Sequence, residues 1–315
     1  MTLPERHFPV LVTGARGLLA TALVPRLQAL APRPEALCLT DLYDPGTSPP
    51  RKRRETCERA GLRIEALDIT DAAAVERAIG RFRPRTVFNL AAWTNVDLAE
   101  THREEARCAN VEGAANVARA ATAAGAIAVH MSTDYVFGGS RREPYSEDDP
   151  PCPECWYGRT KADGEEAVRS AAPASHLIVR AAWLYGKGGP NFVDTVLREA
   201  RAGRPLRVVA DQVGCPTWNE DLSRALVAMV EAEARGTFHA CGAGEASRWD
   251  LASETVRAAG LAVEVEPITS ADLPGVYAPR PARTVLSTTK LEREVGFRFA
   301  DWRESVRAYI RGKNA

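Results

Sequence analysis

An α/β fold, with a doubly wound parallel sheet followed by a smaller C-terminal lobe, is predicted by three features of the 315-residue sequence. Apolar β-type runs alternate with Ala-rich helical stretches as far as Arg180, the pattern of repeated βα units around a parallel sheet. The first of these runs passes directly into a Gly-rich turn and then a helix. Beyond Arg180 the alternation loosens into Gly/Pro-punctuated segments such as WLYGKGGPNF, DQVGCPTW and PGVYAPRPAR, with shorter helices between them. At roughly 100–200 residues per domain, the length suits two lobes or one large unit with a sizeable core.

In chain order, the strand-like runs are 8–13, 36–40, 62–67, 86–90, 127–132 and 176–180, rich in Val, Ile and Leu. Between them 17–30, 72–82, 99–124 and 157–171 read as helices, from their Ala content and from apolar residues recurring every three to four positions. Six such strands make a doubly wound sheet. The longest irregular linker is 43–55, and it carries the dense cationic run Arg51-Lys52-Arg53-Arg54, read as a solvated loop.

The 41 basic and 41 acidic residues cancel, 45% of residues are hydrophobic and 26% are charged, so collagen-like, coiled-coil and disordered classes are excluded. A zero net charge gives no footprint for nucleic acid. No run of about 18 apolar residues is present to span a bilayer, and the N-terminus enters a strand pattern without the layout of a signal peptide. No membrane association and a cytoplasmic location are therefore expected. Seven cysteines at irregular spacing do not form a disulfide framework and are read as reduced thiols. Cys152 and Cys155 make a C-x-x-C, but a zinc site needs a second ligand pair, which the neighbourhood lacks.

The turn after the first strand reads Gly14-Ala15-Arg16-Gly17-Leu18-Leu19-Ala20. Glycines allow the tight turn and close backbone approach, and the helix N-terminus presents N–H groups to a pyrophosphate. Its context makes it the dinucleotide site of a Rossmann-type sheet. Asp41, ending the second strand, suits the adenosine ribose hydroxyls and favours NADH, whereas Arg16 could meet the 2′-phosphate of NADPH. The reading leans to NADH or to dual use. Asp68 and Ile69, after the third strand, edge the adenine, unless Asp68 serves as a turn or N-cap residue. A dinucleotide-binding domain over 1–182, also receiving 206–240, is expected, with 183–315 forming most of a substrate-binding lobe.

Tyr157 and Lys161 stand four residues apart, on one face of the expected helix. Ser132-Thr133-Asp134-Tyr135 ends the fifth strand. A free phenol has a pKa of about 10, and a neighbouring cation together with an oxidised nicotinamide would favour its phenolate. Tyr157 would then exchange a proton with a carbonyl or alcohol oxygen as hydride moves, with Thr133 hydrogen-bonding the same oxygen.

These residues resemble the extended short-chain dehydrogenases/reductases and, within them, the dTDP-4-dehydrorhamnose reductases. The carriers are the run from Asn89 to Glu100, STDYVFGG from Ser132, Tyr157-Gly158 with Lys161, the run from Arg180 to Gly186, and Gly189-Pro-Asn191-Phe192. The run Asp211-Gln212-Val-Gly214-Cys-Pro216-Thr217, Gly236-Thr-Phe-His239 and Arg280-Pro281 complete them. The resemblance implies Thr133, Tyr157 and Lys161 as catalytic residues. It implies a cofactor held by Gly14, Arg16, Gly17, Leu18, Asp41, Asp68, Ile69, Ala91, Ala92 and Lys161. Asp134, Tyr135, Trp183, Asn191, Gln212 and Arg280 would meet the substrate, and Asn110 would support the lysine through water or else tie a helix kink. Trp183 also reads as a core aromatic at the domain junction, and His239 as a structural histidine. Three departures stand out: Ala20 in place of a third glycine, Thr284 where the signature has Ser, and a long 43–55 insert. The resemblance further implies a nucleotide-sugar substrate and a homodimer, while no carboxylate cluster marks a metal site.

The function expected is reduction of the 4-keto group of a nucleotide-linked 6-deoxy sugar, dTDP-4-dehydrorhamnose or a relative of it. A sugar-nucleotide dehydratase or epimerase competes with this, but a dehydratase of this fold resembles relatives with an Asp-Glu pair after the catalytic Thr, and here Tyr135 follows Asp134. A catalytically idle subunit, like the regulatory subunit of methionine adenosyltransferase, is the remaining alternative.

Overall fold

The computed structural model describes residues 3–42, 63–273, 275 and 278–314. The linker 43–55 with its cationic run lies outside the described residues, as does Leu62 at the head of the third predicted strand. Six strands, β1 (Val10–Thr13), β2 (Leu37–Asp41), β3 (Ile64–Ala66), β4 (Thr86–Asn89), β5 (Ile127–Thr133) and β6 (His176–Ala181), follow the predicted runs closely. The strand Gly236–His239 adds a seventh, giving the order Gly236–His239, β6, β5, β4, β1, β2, β3 with every neighbouring pair parallel. The order reverses between β1 and β4, so a crevice opens beyond their carboxyl ends, where ligands of such sheets bind. This is a Rossmann-type sheet.

Strand periodicity builds two cores. Val10, Val12, Phe88, Leu177 and Val179 point to one face and pack with Leu23 and Leu27 of helix Ala20–Leu30 and with Leu222, Leu226 and Met229 of helix Asn219–Glu231. Leu11, Val87, Ala128 and Ile178 point to the other face, against Val75 and Ile79 of helix Ala72–Phe82, Val117 of helix Gly113–Ala123 and Val168 of helix Trp156–Ala171. Because both faces are covered, the strands are apolar without alternation.

Two helices differ from expectation. The helix expected from residue 17 begins at Ala20, because Gly14 to Leu19 form the turn, with Gly17 N–H donating to the Gly14 carbonyl at 2.9 Å. The helix expected over 99–124 is broken into Val96–Ala99, Arg103–Arg107, a π-helical turn Cys108–Glu112, and Gly113–Ala123. Asn110 sits in that π turn, buried. Its amide nitrogen donates to the Trp93 carbonyl (3.1 Å) and the Thr160 hydroxyl (3.0 Å), and its oxygen accepts from Trp93 N–H (2.9 Å). Widened turns of this kind recur at functional sites.

Beyond β6 the chain builds a second cluster around Tyr185, Val193, Leu251, Trp302, Val306 and Tyr309. There the strand Leu206–Val209 pairs with Val265–Ile268. A junction cluster of Val136, Phe137, Tyr145, Ala182, Cys215, Cys241 and Leu286 joins the sheet ends to this lobe. The six described cysteines are free thiols, and Cys155 caps helix Trp156–Ala171, its sulfur accepting from Gly158 N–H at 3.4 Å. No helix among the described residues is long and apolar enough to cross a membrane.

Candidate active site

The rim of the crevice is set by a buried polar ladder across three adjacent strands. The Thr13 hydroxyl donates to Asn89 Oδ1 at 2.6 Å, Asn89 Nδ2 meets His130 Nδ1 at 3.2 Å, and Ala91 N–H donates to the Thr13 hydroxyl at 3.2 Å. This holds Ala91 against the turn. Gly14 is left-handed at φ 64°, and a Cβ there would meet Ala91 N at 2.7 Å and Leu90 C at 2.8 Å, so only glycine fits. The result is a backbone cradle closed by a helix N-terminus, which suits the pyrophosphate of a dinucleotide. Gly17, Leu18, Ala91 and Ala92 lie at its rim, half-buried. Asp41 Oδ2 accepts the Arg16 backbone N–H at 2.7 Å, which places the carboxylate beside the turn. Asp68 is exposed and its Oδ1 is engaged by Thr70 N–H and hydroxyl, while Ile69 is buried; Asp71, not Asp68, caps the following helix.

Tyr157, Lys161 and Glu165 recur every four residues along one face of helix Trp156–Ala171, facing β5. Lys161 is buried and its ammonium donates to the Met131 carbonyl at 2.7 Å. Glu165, 0% exposed, accepts the Ser132 hydroxyl at 2.6 Å and a paired donation from Arg180 at 2.7 and 2.8 Å. These bonds fix the register of helix on strand, and with it Tyr157 opposite Thr133. Gly158 permits the approach, since a Cβ there would come within 2.2 Å of the Tyr135 carbonyl oxygen.

Burial pushes the Tyr157 phenol above its ordinary value of 10, the Thr133 hydroxyl pulls it back, and Asp134 and Tyr135 push it further up. This differs from the expected phenolate: the Lys161 ammonium is turned to the Met131 carbonyl, and in the protein alone desolvation prevails. Burial likewise brings Lys161 down to about 8, with Glu165 supporting the charge. Thr133 donates to Asp134 Oδ1 at 3.0 Å and accepts from Tyr135 N–H at 3.2 Å. Asp134 is buried, and its Oδ2 accepts the Thr284 hydroxyl at 2.5 Å; burial raises its pKa to about 6.

Across the crevice Tyr135 meets Tyr157 edge to face, with ring centroids 5.8 Å apart. Trp183 follows β6 with φ 45°, its indole pressed on Gly214, where a Cβ would come within 2.5 Å of the ring. Arg280 is held by both oxygens of Asp97 at 2.9 Å, and its charge acts on Tyr135. Gln212 is buried and donates to the Ser270 hydroxyl at 2.9 Å. Asn191 caps helix Phe192–Arg201, and its amide nitrogen is committed to the Gly186 and Gly189 carbonyls at 2.9 and 3.0 Å. The structure therefore brings Thr133, Asp134, Tyr135, Tyr157 and Lys161 together, with Arg280 and Trp183 opposite, while Asn191 and Asp68 have local partners. His239 is buried, and burial with the nearby Arg180 brings its pKa down to about 3, so it is neutral.

The family model described as RmlD substrate binding domain matches residues 8–314. The chain belongs to this family. Among its relatives, the dTDP-4-dehydrorhamnose reductase of Streptomyces griseus is 43% identical over 74% of this chain and 80% of its own length. A crystal structure of the dTDP-4-dehydrorhamnose reductase from Clostridium acetobutylicum superposes with a TM-score of 0.85 at 35% identity, covering 97% of this chain and 99% of that one. The Bacillus anthracis enzyme of the same name, in complex with NADP, gives 0.83 at 32% identity, covering 96% and 98%.

For a member of the RmlD family, the Ser-to-Thr departure at 284 is mild in chemical terms, because the hydroxyl that reaches Asp134 is retained. Sequence reasoning missed two residues. Asn219 donates to the Leu18 carbonyl at 2.8 Å and the Lys187 carbonyl at 3.1 Å, clasping the Gly-rich turn to the segment after β6. Arg248 lies on the Trp183 ring with its guanidinium carbon 3.6 Å from the centroid. The first had no sequence signal, lying 201 residues from its partner. The second was legible only as an Arg opening a helix after Ser247.

Proposed function

We propose that this protein is an NAD(P)H-dependent reductase of the 4-keto group of a nucleotide-linked 6-deoxy sugar, with dTDP-4-dehydrorhamnose the substrate to test first. The observation that carries this is the meeting of the Tyr157 phenol, its proton held by burial, with Thr133 and Lys161 beside a cradle fit for a dinucleotide. NAD(P)H, when bound along Gly14, Gly17, Leu18, Ala91 and Ala92, supplies the hydride. Tyr157 gives its proton to the carbonyl oxygen as that oxygen becomes an alcohol, and positioned acid catalysis of this kind is worth about 10²–10⁴ in rate. Thr133 orients the same oxygen once its hydroxyl turns from Asp134. Lys161 keeps a positive charge near the phenol and binds the nicotinamide ribose. Asp134, Tyr135, Trp183, Gln212 and Arg280 form the sugar side; Asn191 shapes the turn that borders it.

A dehydratase reading is disfavoured by Tyr135, a phenol where a second carboxyl would be needed. An idle binding subunit is disfavoured by the completeness of the trio. The names of the relatives support the reductase reading. For the division of labour, we assign cofactor binding to residues 3–182 with 219–240 in place of the expected 206–240, because Leu206–Val209 pairs with Val265–Ile268 outside the central sheet, and substrate binding to most of the remainder. A homodimer in the cytoplasm completes the proposal, checked by sedimentation and by cell fractionation.

The experiment is consumption of NADH and NADPH with a dTDP-4-keto-6-deoxyhexose. Turnover with a dTDP-deoxyhexose product is expected; its absence, or formation of a 4-keto-6-deoxy product from dTDP-glucose, overturns the reading. Both cofactors are expected to serve. A 2′-phosphate carries roughly −1.5 to −2 charge, and beside the Asp41 carboxylate it is repelled by a few kcal/mol even at an effective dielectric of about 20. Asp41→Ala should therefore shift kcat/KM toward NADPH, and an unchanged ratio would show that Asp41 serves the turn alone.

A further inference from the structure

On the lobe wall of the crevice, Arg248 is a cation without a carboxylate. Its guanidinium stacks on Trp183 at 3.6 Å, and the Phe192 ring lies 5.3 Å away. Trp183 is itself immobilised against Gly214, so the platform is rigid. The main chain of Arg248 is fixed too: its N–H donates to the Gln212 carbonyl at 3.2 Å, and Ser247 and Asp250 cap the helix Arg248–Ala258 reciprocally. Among the described residues Arg248 forms no ion pair, whereas Arg180, Arg280 and Arg283 each hold a carboxylate. The Arg248 side chain hydrogen-bonds Tyr135 and its charge acts on Tyr135 and Asp134, while the Asp134 oxygens accept from Thr133 and Thr284. The side chain is densely surrounded yet keeps contact with solvent, as befits the wall of a cleft. A costly cation is thus pre-oriented with the Tyr135 hydroxyl as its polar partner and no carboxylate bonded to it.

We propose that Arg248 binds the diphosphate linkage of the nucleotide-sugar substrate and so sets selectivity for a diphosphate-activated sugar; this rests on the reductase reading. Tyr157 and Thr133 fix the C4 oxygen of the sugar. The anomeric carbon, which carries the diphosphate, lies across the pyranose from C4. Across Tyr135 from Tyr157 comes Arg248. A planar guanidinium offers paired donors that match phosphate oxygens, and its stacking on Trp183 keeps the fork oriented. Arg280 adds positive potential on the same side, although its own fork is committed to Asp97. The cofactor also contains a pyrophosphate, but its cradle is on the opposite wall, at Gly14 and Gly17, so the two anions are separable by experiment.

Calorimetric titration of thymidine 5′-diphosphate and of thymidine into the NADP⁺-loaded protein provides the test, using wild type, Arg248→Met and Arg248→Lys. Met keeps an apolar stem on Trp183 and removes the charge; Lys keeps the charge and loses the fork. Arg248→Met is expected to weaken the diphosphate by about 10- to 100-fold, the usual range for a charge-assisted hydrogen bond, with thymidine unaffected and Arg248→Lys between the two. The affinity for NADPH should not change, and KM for the sugar nucleotide should rise more than kcat falls. Wild-type affinity for the diphosphate in folded Arg248→Met, or in Arg248→Lys should the Met variant not fold, overturns the assignment while leaving the reductase reading intact. Wild type that neither binds thymidine diphosphate nor consumes NADPH overturns both. Equal loss of NADPH affinity would move Arg248 to the cofactor and overturn the proposal as well.

Discussion

On the sheet wall of the crevice, Tyr157, Lys161 and Glu165 share one helix face, and bonds to Met131 and Ser132 seat them on a single strand. On the lobe wall the corresponding contacts join distant parts of the chain: Thr284 reaches Asp134 across 150 positions, and Arg280 reaches Asp97 across 183. Helical and strand periodicity place the first set almost automatically. The second set depends on the whole lobe being docked. Chemistry is therefore encoded locally, and recognition is encoded in tertiary structure.

The sharpest way to break this comparison is at Tyr157. Tyr157→Phe should lower kcat by about 10² or more while leaving cofactor affinity within a few-fold. An unchanged kcat with chemistry rate-limiting would remove the phenol from the mechanism.

Asp134 sits at the seam of the two walls. Its folded pKa of about 6 lies above the 3.8 of an ordinary Asp, so the folded state holds the proton more tightly than the unfolded one. The associated stability is complete below pH 4 and is lost as pH rises through 6. Asp134→Asn cannot titrate. Its stability relative to wild type should climb between pH 4 and 7 by about 3 kcal/mol, at 1.36 kcal/mol per pKa unit, as read by urea unfolding at several pH values. Parallel curves for the two proteins would show that Asp134 is not the titrating group.

The smallest effect is expected from Thr284, the lobe residue that bonds Asp134. Thr284→Val should cost about 1–3 kcal/mol of stability by leaving a buried carboxyl oxygen without its donor, whereas Thr284→Ser should be near silent. Similar losses in both variants would point to the methyl group and not the hydroxyl.

Much of the sheet wall was legible because its signals are periodic. The β1 turn, the spacing of Tyr157 and Lys161, and the position of Thr133 at a strand end each follow from a short stretch of chain. The π turn around Asn110 was half legible: a helix kink tied by Asn110 was one of its two readings, but an Ala-rich run gives no sign that its Asn will bond Trp93 and widen the helix. The orientation of Lys161 was not legible, since it depends on the Met131 carbonyl, a group every residue has. The edge strand Gly236–His239 could be suspected from its composition, but its place beside β6 is a tertiary fact. Arg248 was missed because stacking on Trp183 is a contact across 65 positions with no fixed spacing.

The strand Gly236–His239 also has a meaning in time. During synthesis the sheet cannot be completed when β6 leaves the ribosome, because its outer neighbour and helix Asn219–Glu231, which supplies Leu222, Leu226 and Met229 to the core, are still to come. The N-terminal half therefore waits with an open sheet edge and an uncovered apolar face, a state prone to pair with another chain. A chain stopped after residue 182 should for this reason aggregate and not persist as a free nucleotide-binding domain, because the fold closes only when the polypeptide has passed through the lobe and returned.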